Sequence, residues 1–139
     1  MPGVLLPASS KAGGVYFGVP DVCLTPAPPG PPVPVPYPNT AQVAATNGAS
    51  TKVLIECKES VVEGSKVPNS SGDEAGTNGG VVSGTNMGPV EPKMFSSKVY
   101  AEGKKFVFLT SMAGHNGSNA NMPAGMQIAP SQVKVLVGI

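Results

Sequence analysis

The chain has 139 residues and a formal net charge of +1, which nine lysines and eight carboxylates produce without any arginine. Nucleic acid is therefore not an expected partner, because phosphate recognition relies on clustered Arg and Lys, and base stacking relies on aromatic side chains, which make up only 5% of the residues. The 18 glycines and 16 prolines disfavour helices, while 40% apolar and only 12% charged residues argue against a disordered chain, so we predict one compact, mostly β domain over residues 1–139.

The N-terminal segment combines a weak strand signal with the absence of a targeting signal. It lacks the basic start and the uninterrupted apolar run of a secretory signal, and no stretch of 18 apolar residues occurs anywhere in the chain. We therefore expect synthesis in the cytoplasm, where Cys23 and Cys57 would stay thiols. Two glycines precede an apolar run, which predicts a short strand at residues 15–19.

A proline-rich belt follows at residues 20–39, with eight prolines from Pro26 to Pro38. Each of these prolines fixes φ and removes a backbone donor, so residues 26–38 should form neither a helix nor a central strand. The belt should therefore run extended, without pairing with itself. We interpret it as an ordered segment that packs Val33, Val35 and Tyr37 on one side. The alternatives are a stiff linker or a ligand for a proline-binding groove, because P-x-x-P spacings occur within it.

The middle of the chain contains a repeat. After one weak helical turn predicted at residues 40–50, residues 51–61 align without gaps against residues 97–107 and share Lys, Val, Glu, Lys and Val. Both copies predict a hairpin, at residues 51–63 and 97–109, with Gly103 or Cys57 at the turn position that needs a positive φ. Residues 131–138 resemble a third, fainter copy. Such a repeat suits a body with a pseudo-threefold base.

Two long segments rich in turn residues separate these elements, at residues 68–88 and 113–126. We expect both to be ordered loops whose Ser, Asp and Asn side chains bond their own backbone, because a domain of this size needs them for its core. The second loop carries His115, which is the single histidine.

Few residues offer chemistry for an enzyme. The acidic pair Asp73 and Glu74 lies in a Gly-flanked loop, where a solvated or turn-capping role is expected, and His115 has no base or nucleophile near it in sequence. His115, Cys23 and Cys57 are also widely separated, unlike the short spacings of zinc sites. We predict that the protein is not an enzyme; a small hydrolase using His115 is the alternative from that class.

Several short motifs occur in a fixed order along the chain. They are Pro20-Asp-Val-Cys23 with Thr25-Pro26, Pro36-Tyr-Pro-Asn39, Ser71-Gly-Asp-Glu-Ala-Gly76, Gly80-Val-Val-Ser83, Glu102-Gly-Lys104 and His115-Asn116. In this order they resemble the PAAR-like proteins of bacterial contractile injection systems. The resemblance covers about residues 15–120 and is closer to the branch of unknown function than to the founding members, whose Pro-Ala-Ala-Arg repeats need arginine.

The resemblance implies a small cone-shaped structural protein that caps VgrG, the trimeric spike of type VI secretion systems, or its counterpart in related particles, and sharpens it for membrane puncture. It would be assembled in the bacterial cytoplasm and exported at the spike tip. It would meet the target membrane transiently, and effectors would travel with the spike. No fused effector domain is expected. Founding members bind zinc near the apex through three histidines and a cysteine; here the matching positions are His115 and Cys23.

The partner surface is expected at the C-terminal strand or at the loops of the two hairpins. One copy meeting three identical subunits should use a neutral apolar contact, because an asymmetric charge can pair with only one of the three. The predicted contact residues are aliphatic and are not interrupted by an acidic side chain: Val133, Val135, Leu136, Val137 and Ile139. The predicted stoichiometry is one chain to three spike subunits.

Overall fold

The computed structural model describes residues 5–117 and 119–138, and it confirms a mostly β chain. Among these residues one 3₁₀ turn, Val43–Ala45, lies within the predicted helical turn, and no helix is long and apolar enough to cross a membrane. The strands are β1 Leu5–Pro7, β2 Val15–Thr25, β3 Val33–Gln42, β4 Ser50–Ile55, β5 Lys58–Ser60, β6 Glu91–Pro92, β7 Tyr100–Ala101, β8 Lys104–Lys105, β9 Met112–His115, β10 Met122–Ala129 and β11 Leu136–Gly138.

The largest unit is a five-stranded antiparallel sheet in the order β3-β2-β10-β9-β6. Strand β2 extends beyond the predicted residues 15–19 because β3 pairs with it along its length. The prediction that the proline belt cannot pair with itself is wrong, since its first part, within β2, pairs with its last part, within β3. Only every second residue of a strand forms backbone hydrogen bonds with a given neighbouring strand. Val33, Val35 and Tyr37 can therefore bond to β2, while the backbone of the intervening prolines faces the open edge of the sheet.

The prediction of a loop at residues 113–126 is also wrong, because these residues form most of the hairpin of β9 and β10. Its glycines serve close packing as well as turns: a Cβ atom on Gly125 would lie 2.3 Å from Cδ2 of His115. Glycine therefore gave a misleading turn signal here. The other predicted loop, at residues 68–88, is confirmed as an ordered loop, with the Thr85 N–H donating to the hydroxyl of Ser83 and the Met87 N–H to the carboxylate of Asp73.

The two predicted hairpins are confirmed as the pairs β4/β5 and β7/β8, although their strands are shorter than expected. Both turn residues of each hairpin have positive φ, at 52° and 64° for Glu56 and Cys57 and at 52° and 78° for Glu102 and Gly103. This is the type I′ geometry that matches the twist of the flanking strands. The third copy does not fold as a hairpin; its strand β11 pairs instead with β1.

The three two-stranded sheets β1/β11, β4/β5 and β7/β8 surround one hydrophobic cluster. The segments that follow β1, β5 and β8 bond each other in turn: Ser9 N–H donates to Val107 O at 2.8 Å, Val107 N–H to Val61 O at 3.1 Å, and Val61 N–H to Ser9 O at 3.0 Å. The cluster consists of Ala8, Ile55, Val62, Ala101, Phe106, Phe108 and Val137.

A second hydrophobic cluster lies against the five-stranded sheet, and it is built from Tyr16, Ala41, Val43, Val61, Val67, Val90, Val107 and Ala113. Val61 and Val107 belong to this cluster, whereas their neighbours Val62, Phe106 and Phe108 belong to the first, so the same two segments supply side chains to both clusters. The loop at residues 68–88 is fixed across the β2/β3 pair by isolated bridges from Gly80 to Cys23 and from Ser71 to Thr40.

Candidate functional site

A β-bulge in strand β2 directs two ligand-type side chains into the interior. The β2/β3 register shifts between Gly18 and Asp21, and the buried positions of β2 change phase there, from residues 16 and 18 to residues 21 and 23. Since strand side chains alternate between faces, the extra residue of the bulge moves Asp21 and Cys23 inward together. Both side chains are fully buried.

The loop at residues 68–88 supplies the third member of the site, Asp73, which is also fully buried. The Cys23 Sγ atom lies 3.7 Å from Oδ1 of Asp21 and 3.7 Å from Oδ2 of Asp73. The other oxygen of Asp73 accepts the backbone N–H of Met87 at 2.9 Å, which fixes the carboxylate orientation. One thiol and two carboxylates therefore meet in the interior, with one ligand atom from each within 4.8 Å of the others.

Two asparagines from the β9/β10 hairpin enclose this group with amide donors. The Asn116 Nδ2 group lies 3.1 Å from Oδ1 of Asp21 and 3.5 Å from Sγ of Cys23, while its Oδ1 accepts the Gly88 N–H at 2.9 Å. Asn121 donates to the same Asp21 oxygen, and its own Oδ1 accepts the Val82 N–H at 2.8 Å. The asparagines thus connect β2, the loop and the hairpin in one buried network, and none of the ion pairs among the described residues involves a member of it.

Two motif glycines explain how the loop approaches so closely. A Cβ atom on Gly76 would lie 2.3 Å from Cβ of Cys23, and one on Gly80 would lie 2.4 Å from Oδ1 of Asn121. Contacts this short do not occur between real side chains, so any larger residue would displace the loop from the site.

Burial dominates the acid–base behaviour of the site. Burial, followed by the nearby carboxylates of Asp21 and Asp73, raises the pKa of the Cys23 thiol to about 12. Burial and the adjacent Asp21 raise the pKa of Asp73 to about 7, against a smaller opposing effect of the Met87 N–H. At neutral pH without a bound cation, the thiol therefore keeps its proton and Asp73 is partly protonated.

The chain matches the family model of the toxin PAAR-like domain over residues 14–123. The chain belongs to that family. The matched region includes Asp21, Cys23, Asp73 and both asparagines, so the buried network lies wholly within the PAAR-like domain. Neither the curated proteins nor the solved structures with which the chain was compared gave a match.

The PAAR-like domain brings Cys23, but not His115, into the ligand group. The His115 ring is fully buried between Gly18 and Gly125, and its Nδ1 lies 3.2 Å from Nδ2 of Asn39. Its Nε2 has no hydrogen-bond partner. Burial lowers the pKa of His115 to about 4, against the opposing charge of Asp21, so the ring stays neutral at physiological pH.

The donor set suits a metal ion, although it differs from three histidines and a cysteine. One thiolate with two carboxylates is compatible with a borderline cation such as Zn²⁺. Moreover, Oδ2 of Asp21 is buried without a hydrogen-bond partner, which leaves a free acceptor within the group. Asp21, Cys23 and Asp73 could therefore hold a metal ion in this PAAR-like domain.

The predicted partner residues divide into three groups. Val133, Val135 and Leu136 are exposed, whereas Val137 is only 3% exposed and packs in the cluster between the small sheets. Val137 therefore faces inward and does not belong to an outer surface. Ile139 lies outside the residues that the structure describes.

Sequence reasoning missed Asp21, Asp73 and Asn121 as parts of one site. The spacing Asp21-x-Cys23 was a usable signal, because alternate strand residues share a face. Asp73 was expected to be solvated or to cap a turn. It is buried rather than solvated, and its carboxylate accepts the Met87 N–H at 2.9 Å, while Glu74 accepts the Gly72 N–H at 2.8 Å. No local pattern indicated Asn121, which reaches the site only through the unpredicted β9/β10 hairpin.

Proposed function

We propose that this chain is a structural spike-tip protein of a type VI secretion system or a related contractile injection particle. In this role it caps a trimeric VgrG-like spike and sharpens it for membrane puncture. Membership in the PAAR-like family supports a spike-tip role. The observation that carries the proposal for this chain is the cycle of backbone bonds among Ser9, Val61 and Val107.

A second cycle has the same internal relation. Lys11 N–H donates to Glu59 O at 2.9 Å, Glu63 N–H to Lys105 O at 2.8 Å, and Leu109 N–H to Pro7 O at 2.8 Å. In both cycles, residue n of the first segment corresponds to residue n+52 of the second and to residue n+98 of the third. The equivalent positions are 9, 61 and 107 in the first cycle; in the second cycle the donors are 11, 63 and 109 and the acceptors are 7, 59 and 105. Six bonds that obey one rule support a pseudo-threefold axis through the three segments, which is the base that a trimeric spike requires.

The strand registers extend this equivalence to side chains. Leu54 pairs with Glu59, Tyr100 with Lys105 and Leu136 with Pro7. Because Glu59, Lys105 and Pro7 are equivalent positions, Leu54, Tyr100 and Leu136 also occupy equivalent positions in the three sheets. Their exposures are nearly equal, at 55% for Leu54, 53% for Tyr100 and 48% for Leu136. We call these residues the apolar triad. A large apolar residue at three equivalent exposed positions supports a contact with three identical subunits.

The residues around the apolar triad follow the same rule. Val53, Val99 and Val135 precede the triad residues, and Lys52, Lys98 and Lys134 precede those valines. We therefore extend the proposed contact surface from the C-terminal strand, where Val133, Val135 and Leu136 remain proposed members, to all three sheets. A repeated surface lets each spike subunit meet the same chemistry, which one strand could not provide.

The geometry restricts the two alternatives. A proline-reading domain could take only residues 26–32 of the belt, which lie outside the strands and are exposed, because residues 33–37 pair with β2. A hydrolase would need the His115 ring to reach substrate, but Gly18 and Gly125 enclose the buried ring and its pKa is lowered to about 4.

The proposal is tested by co-expressing the chain with a trimeric VgrG-like spike protein from the same genome and measuring the stoichiometry of the purified complex. In the proposed system the chain would be assembled on the spike in the bacterial cytoplasm and exported with it, together with any effector that the spike carries. Its contact with the target membrane would be transient and mechanical.

A further inference from the structure

We propose that Asp21, Cys23 and Asp73 form a structural binding site for one divalent cation of the zinc class. The site fixes the loop at residues 68–88 to strand β2. It does not use His115, the single histidine of the chain, and the inference stands whether or not the chain caps a spike.

The distances within the group suit tetrahedral coordination. Zinc bonds of about 2.3 Å to sulfur and about 2.0 Å to oxygen, at the tetrahedral angle, place sulfur and oxygen ligands about 3.5 Å apart. Cys23 Sγ lies 3.7 Å from a carboxylate oxygen of Asp21 and 3.7 Å from one of Asp73. Both sulfur–oxygen distances are therefore within about 0.2 Å of the tetrahedral value, and the two carboxylate ligand atoms lie within 4.8 Å of each other.

The charge balance also favours a cation. Asp21 and Asp73 are fully buried, and none of the ion pairs formed by the described residues involves either of them. Oδ2 of Asp21, moreover, has no hydrogen-bond partner. Burying unpaired carboxylates is costly, so such groups take up protons or bind a cation. A divalent ion would engage both carboxylates and the thiolate, and it would release to solvent the thiol proton and the proton that Asp73 carries in part of the molecules.

The donor set selects the class of ion. Mg²⁺ and Ca²⁺ prefer sites made only of oxygen ligands, whereas a thiolate favours Zn²⁺ and ions of similar softness. Asn116 and Asn121 act as positioning residues, because their amide groups donate to the Asp21 carboxylate and, from Asn116, to the sulfur. Three protein ligands leave one coordination position for a further ligand.

The test uses the full chain purified from zinc-supplemented medium, with elemental analysis and thermal unfolding before and after chelation. We expect one zinc ion per chain, a fall in Tm on chelation, and recovery when Zn²⁺ is restored. The Cys23→Ser and Asp73→Asn variants should lose most of the metal and of the Tm response. The matched controls Cys57→Ser and Glu74→Gln, together with His115→Ala, should retain both.

Cobalt substitution of the wild-type chain gives a readout that does not depend on the variants folding. Co²⁺ in the proposed site should produce a thiolate-to-cobalt charge-transfer band and the intense visible bands of a four-coordinate ion. A wild-type chain without stoichiometric zinc and without the thiolate band would overturn the proposal. Full metal retention in a folded Cys23→Ser variant would overturn it equally.

Discussion

Gly76 and Cys23 lie so close that a Cβ atom on Gly76 would be only 2.3 Å from Cβ of Cys23. Because the clash is with the base of a buried side chain, a Gly76→Ala variant must displace the loop or strand β2. We expect a loss of about 1–3 kcal/mol in the free energy of unfolding, measured by urea denaturation. Gly30→Ala is the matched control, since its Cβ atom would meet its nearest neighbour at an ordinary 3.4 Å. Equal stability of the two variants would contradict this packing.

The two hairpin turns provide a reciprocal test of their equivalence. Cys57 has a φ of 64°, where an L-residue is disfavoured, and the equivalent residue in the other hairpin is Gly103 at 78°. We expect Cys57→Gly to raise the free energy of unfolding by up to about 1 kcal/mol and Gly103→Ala to lower it by about 1 kcal/mol. No atom lies within 4 Å of a Cβ on Gly103, so its change would report backbone conformation alone. Changes of the same sign would argue against equivalent turns.

The buried His115 should make the protein less stable in acid. Its folded pKa of about 4 is below the unfolded value of 6.5, so the unfolded chain gains the proton first as the pH falls. The contribution of neutral His115 is therefore complete above pH 6.5 and is lost on acidification towards pH 4. Between about pH 7 and about pH 4, the wild type should lose roughly 3 kcal/mol more than His115→Gln. Parallel pH curves for the two proteins would show that the ring is not buried as described.

The apolar triad should determine binding to the spike. We expect Leu54→Glu, Tyr100→Glu and Leu136→Glu each to weaken binding to the spike at least tenfold, because each buries an unpaired carboxylate at one of three equivalent contacts. Val81→Glu is the control, because Val81 is similarly exposed at 52% but lies in the loop outside the three small sheets. Binding titrations and circular dichroism together separate lost contact from lost fold. Similar binding by triad and control variants would exclude this surface.

Sequence patterns predicted the two hairpins because their signals are local. The turn chemistry of Glu102 and Gly103, repeated 46 residues earlier, specifies a type I′ turn without help from distant residues. The third two-stranded unit could not be predicted in the same way, since β1 and β11 come from opposite ends of the chain and meet only in the folded protein.

The candidate site was only partly predictable for a related reason. Cys23 was identified from the family resemblance, but its neighbour Asp73 is 50 residues away and Asn121 is close only because β9 and β10 form a hairpin. The bulge that turns Asp21 inward leaves no mark in composition or periodicity. Glycines that looked like loop residues instead permit close packing around Cys23 and His115.

The most direct test of the spike-tip proposal is the mass of the complex formed by this chain and a trimeric VgrG-like spike protein from the same genome. After co-expression and purification, native mass spectrometry should give one copy of this chain bound to three spike subunits, as the proposed pseudo-threefold base requires. A complex with one copy per spike subunit, or the absence of a complex while both proteins are folded, would contradict the proposal.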